Sequence, residues 1–75
     1  MSIKPLNLLS PGQTSIIKEF TKTAISQSRL VEMGFIPGEK VSMIKKTPFY
    51  GPLEVKIRSY HITLRWQDAT QILVD

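Results

Sequence analysis

The 75-residue chain is 41% hydrophobic and 21% charged, with ten Lys and Arg against six Asp and Glu and a net charge of +4. A chain this short forms one domain, residues 1–75, with no room for a deep catalytic cleft. It contains no cysteine, which removes disulfides, thiolate metal sites and cysteine nucleophiles together.

The first turn signal is Ser10-Pro11-Gly12, and the apolar residues Ile16, Ile17 and Phe20 after it mark a strand over residues 13–20. A short helix follows, with Ser26 as N-cap, Leu30 and Met33 on one face and Gly34 as its stop. Pro37-Gly38 turns the chain into a second strand, residues 40–47, where Val41 and Met43 alternate with Ser42. Residues 48–52 form a proline-bounded aromatic loop. Two period-two runs come next. Leu53, Val55 and Ile57 alternate with Glu54, Lys56 and Arg58, then Ile62, Leu64 and Trp66 alternate with Thr63 and Arg65. A Ser59-Tyr60 turn pairs Leu53 with Trp66, Val55 with Leu64, Ile57 with Ile62 and Glu54 with Arg65, keeping apolar opposite apolar. A helical turn from Asp68 through Gln71 leads to a last strand, residues 72–74. The fold class expected is mainly β: a small five-stranded SH3-like barrel with one short helix in its first long loop.

The segment Arg29-Leu30-Val31-Glu32-Met33-Gly34-Phe35-Ile36-Pro37-Gly38 resembles the Arg-Leu-x-x-Leu-Gly-hydrophobic-x-Pro-Gly signature of the FeoA family, with Met33 in place of leucine. Pro48-Phe49-Tyr50-Gly51-Pro52-Leu53-Glu54-Val55 is similar to the family's Pro-x-x-Gly-Pro-hydrophobic-x-Val. Ile62-x-Leu64-Arg65 and Ala69-x-x-Ile72-x-Val74 resemble its closing segments. The resemblance implies a non-enzymatic accessory of ferrous-iron uptake whose partner is FeoB, a membrane transporter with a GTP-binding domain. It also implies that Arg29, Leu30, Met33, Gly34, Pro37, Gly38, Gly51 and Pro52 are structural. The longest strictly apolar run, Ile72-Leu73-Val74, falls far short of the ~20 residues a membrane helix needs. The segment around Lys4 and Pro5 lacks the apolar core of a secretion signal, so a cytoplasmic location is expected.

Four kinds of site are weighed on the residues themselves. Iron wants a preformed cluster of imidazole and carboxylate ligands; with His61 as the single histidine, no metal site and no cofactor are expected, although transition-metal binding is a family-level association. No phosphate-cradling loop or nucleophile arrangement is present, and Arg29, the one nominee for an inserted arginine finger, flanks a packed helix. For a protein partner the contact candidates are Phe49, Tyr50 and Lys46, then Phe35 and Ile36, because a proline-bounded loop loses little entropy on binding. The alternative is a nucleic-acid-binding barrel using Lys45, Lys46, Lys56 and Arg58 beside the aromatic loop. The chain is expected to be a monomer or a weak homo-oligomer joined through that loop.

Overall fold

The computed structural model of the chain describes residues 3–22 and 24–75. Six strands form one antiparallel sheet: β1 (Lys4–Pro5), β2 (Thr14–Phe20), β3 (Lys40–Lys46), β4 (Leu53–Ile57), β5 (Tyr60–Leu64) and β6 (Ile72–Val74), in the order β1-β6-β2-β3-β4-β5. The sixth strand, absent from the five expected, is the two-residue β1. It is made by backbone pairing, Lys4 with Val74 and Pro5 with Leu73, and two residues carry no periodicity to announce it. Two bulges, at Lys18 against β6 and at Ile44 against β4, sharpen the local twist and curl the sheet around its core. The inward face carries Ile17, Val41, Met43, Leu53, Val55, Ile57, Leu64, Ile72 and Val74. Leu6 and Leu9 close the barrel from the N-terminal side, and Leu30 and Phe35 from the first long connection.

The connection from β2 to β3 holds helix α1 (Gln27–Glu32). Ser26 stands at its N-cap without capping the backbone through its side chain. Its C-terminus explains the signature segment. Gly34, at φ +108°, adopts the left-handed conformation that a side chain would strain. Its N–H donates to Val31 O, and the Phe35 N–H donates to Leu30 O at 3.0 Å. That is the paired closure of a Schellman motif, whose usual apolar contact is here supplied by Leu30 and Phe35, both wholly buried. The Glu39 N–H then donates to Ile36 O across Pro37 and Gly38, in the pattern of a type II turn, and the chain enters β3.

The β4–β5 hairpin departs from expectation in its turn. Arg58 and Ser59 form it, with Arg58 at φ +56°, so the partners are Leu53 with Leu64, Val55 with Ile62 and Ile57 with Tyr60. The shift is two positions along β5, so every side chain keeps its face. Trp66 and Arg65 leave the strand altogether. Trp66 opens helix α2 (Trp66–Thr70), which begins two residues before Asp68, and Arg65 is its N-cap. Glu54 therefore faces Thr63 and contacts His61 Nδ1 at 3.0 Å in place of Arg65.

Asp68 ties the two helices together. Its carboxylate, almost wholly buried, accepts a hydrogen bond from Arg29 Nη2 at 2.7 Å, with Arg65 Nε at 3.5 Å. Burial alone would raise the Asp68 carboxyl; the Arg29 hydrogen bond and charge, then Arg65 and Ser26, outweigh it and hold the group below its ordinary value. The stabilisation is present above the unfolded carboxyl's pKa and is lost as pH falls through the lower folded one. Asp68→Asn, which keeps the shape and removes the charge, is expected to cost about 1–2 kcal/mol near neutral pH. Urea unfolding should show the gap to the parent closing as pH falls below the ordinary carboxylate range.

Candidate functional site

At one end of the barrel β3 and β4 run past their ladder into a narrow tip. The Thr47 N–H donates to Pro52 O and the Gly51 N–H to Pro48 O, each at 3.3 Å, leaving Phe49 and Tyr50 as the two central residues. Both have φ of +61°. Two successive left-handed residues are the pattern of a type I′ turn, which Asn-Gly satisfies and aromatics do not. At about 1–2 kcal/mol for each left-handed L-residue, the tip holds appreciable strain. Gly51 is fixed by space: a Cβ there would lie 2.7 Å from Thr47 Cγ2, 2.8 Å from Thr47 Cβ and 3.2 Å from Pro48 O. Gly51→Ala is expected to open the tip and cost about 1–3 kcal/mol in thermal unfolding, with amide shift changes confined to residues 46–53.

Phe49 is 96% exposed and Tyr50 75%, the former with nothing covering its ring. Tyr50 meets Trp66 edge to face, ring centroids 5.0 Å apart at 72°. Trp66 is half-buried against the core and fixes Tyr50 from below. The pair separates two shallow apolar depressions. One, of about 510 Å³, lies between Lys46, Pro48, Phe49 and the pair; the other, of about 330 Å³, lies between the pair, Pro52, Arg65 and Gln67. The strained tip, the Tyr50–Trp66 wall and cations on both flanks make one surface.

The nominated contact residues separate on this geometry. Phe49, Tyr50 and Lys46 come together at the tip. Phe35 does not: it is 0% exposed, because the Schellman closure drives it into the core, and it offers no surface to a partner. Ile36, 38% exposed, sits on the turn that follows, outside both depressions. Trp66 is the residue that sequence reading missed, since a period-two pattern continues through it into what is in fact a helix. The carboxylate of Asp68 at the third helical position is the available sign that the strand had ended. The basic set proposed for nucleic acid is spread along the hairpin and does not gather in one depression. Lys46 borders the aromatic tip, Lys45 lies by Glu54 and Thr63, and Lys56 and Arg58 share a third depression at the other end of the hairpin. Among the described residues no group of three or more His, Asp or Glu side chains is placed to hold a metal.

The profile of the FeoA domain matches residues 4–75. The chain belongs to the FeoA family. A FeoA/FeoB fusion protein of Porphyromonas gingivalis, described as an Fe(2+) transport protein A joined to an Fe(2+) transporter, is 29% identical over 70 residues. The match takes in 93% of this chain and only 8% of that relative's length. Iron(II) transport protein A of Clostridium thermocellum is 35% identical with a TM-score of 0.85, over 95% of this chain and 44% of that one. FeoA of Stenotrophomonas maltophilia, solved with zinc and described as an SH3 domain protein, is 28% identical with a TM-score of 0.81, over 95% and 88%. The barrel is thus SH3-like, as expected. Within the FeoA signature, Leu30 and Phe35 are core, Gly34 closes α1, and Arg29 reaches Asp68 on α2. The pairing of Arg29 with a buried carboxylate gives that arginine a structural task.

Proposed function

We propose that the chain is a non-enzymatic accessory of ferrous-iron uptake that docks onto the cytosolic part of a FeoB-type transporter through its aromatic tip. The observation that carries the docking site is the tip itself. Phe49 and Tyr50 are held exposed in left-handed conformations on a wall built with Trp66. Strained backbone of this kind persists at sites where it has a use. Rigid aromatics flanked by Lys46 and Arg65 also have the composition of an interface centre. Family membership and the relative in which a FeoA segment is joined to a FeoB transporter support the choice of partner. Among the described residues no helix is long and apolar enough to cross a membrane; in this reading the domain meets the membrane protein from the cytoplasmic side. Its effect on the partner is by population shift: contacts stronger with one state than the other favour that state.

The test is an NMR titration of the labelled protein with the cytosolic domain of a FeoB-type transporter at moderate salt. Shift changes clustered on residues 46–52 and the Trp66 indole are expected. Absence of any change at high concentration, or changes only on the opposite end of the barrel, overturns docking through the tip.

A further inference from the structure

A second surface lies at the other end of the β3–β4 hairpin. Thr14 stands beside Ser42 on β2 and β3, and Ser42 beside Lys56 on β4. Residues two apart on a strand share a face, so Lys40 joins Ser42, and Arg58, in the turn that follows β4, borders the same side. Together with Glu39 these residues border an open depression of about 600 Å³, the Thr14 and Ser42 hydroxyls 2.8 Å apart in it. Lys40, Lys56 and Arg58 gather their charges around it. Like charges brought close together cost stability. The neighbouring carboxylates do little to relieve this. Glu39 reaches only Arg58, through long contacts of 3.3 and 3.5 Å, and Glu54 is turned to His61. Among the described residues neither Lys40 nor Lys56 enters an ion pair.

We infer that this groove is a docking site for an extended acidic polypeptide segment carrying carboxylates two residues apart. The layout of the cations selects that ligand. Lys40 on β3, Lys56 on β4 and Arg58 in the turn after it are spread along one open groove, and an extended chain presents alternate side chains on one face about 7 Å apart, so successive carboxylates can reach different cations. A lone phosphate is too small to span all three. No aromatic borders the groove, so a nucleic-acid single strand finds no stacking platform. Glu39 is the internal competitor. Its weak hold on Arg58 marks where a ligand carboxylate binds the guanidinium, and binding displaces it.

A short synthetic peptide alternating glutamate and threonine, titrated into the full chain by calorimetry at low and moderate salt, tests the site; its glutamine counterpart is the blank. Lys40→Gln with Lys56→Gln is expected to weaken binding about 5–10-fold, as for two partly exposed ion pairs. Glu39→Gln, by freeing Arg58, is expected to strengthen it about 2–5-fold. The substitution of Phe49 by Asn with Tyr50 by Gly should leave this binding unchanged, which separates the groove from the tip. The inference is overturned if the lysine pair has no effect, if Glu39→Gln weakens binding, or if inorganic phosphate or an oligothymidine binds more tightly than the peptide.

Discussion

Phe35→Ala is expected to leave a chain that is largely unfolded or unfolds well below the parent's midpoint. Phe35 is the largest wholly buried side chain, seated where the closure of α1 meets the barrel. Truncating such a phenylalanine removes about 3–5 kcal/mol. A domain of this size has only about 3–5 kcal/mol in total. Thermal unfolding followed by circular dichroism measures the loss. Ile36→Ala, one residue along and 38% exposed, should change stability by about 0.5 kcal/mol or less. The comparison separates the two neighbours that an apolar surface patch would treat alike. A folded Phe35→Ala protein of normal stability that had lost only partner binding would show that the ring faces a partner and not the core.

The second large effect has opposite signs on stability and on binding. Replacing Phe49 by Asn and Tyr50 by Gly gives the tip the residues its left-handed backbone asks for. Relief of the strain, offset in part by the added flexibility of glycine, is expected to raise stability by about 1–2 kcal/mol. The same change removes both exposed rings and the edge-to-face contact with Trp66. If the tip is the centre of the interface, loss of two aromatic anchors weakens partner binding by at least ~30-fold, the effect of about 2 kcal/mol. Chemical denaturation and calorimetry on one preparation give both numbers. A variant that became more stable and bound the partner undiminished would remove the tip from the interface.

The parts of this fold that can be read from the chain are those governed by periodicity and by residues with special backbone preferences. Alternation over residues 53–57 and 60–64 placed the hairpin and assigned its faces correctly, because an error of two positions in β5 leaves parity intact. The turn itself was illegible. Arg58 adopts a left-handed φ without the glycine or asparagine that signals one. Trp66 continued the alternation by chance of composition, while local backbone hydrogen bonding took it into α2. The candidate site was half legible for a related reason. Phe49 and Tyr50 lie in a loop bounded by prolines and could be nominated from that alone. Trp66 reaches them from a segment sixteen residues on, a proximity set by tertiary packing. The link between Arg29 and Asp68 is likewise a contact across the fold that neither residue announces locally.

The place of β6 has a consequence for how the chain acquires this structure. The strand lies between β1 and β2, so the last three strand residues in sequence complete a sheet begun by the first. Ile72 and Val74 are wholly buried there. Hairpins β3–β4 and β4–β5 are local and can form as soon as they are synthesised, but the barrel cannot close until β6 has been added. Bringing such distant segments together adds only a logarithmic entropy term to the equilibrium, yet it slows the search for the native pairing. Until β6 arrives, one edge of β2 and the apolar interior stand open, and the period before closure is the one in which the chain is most exposed to association with others.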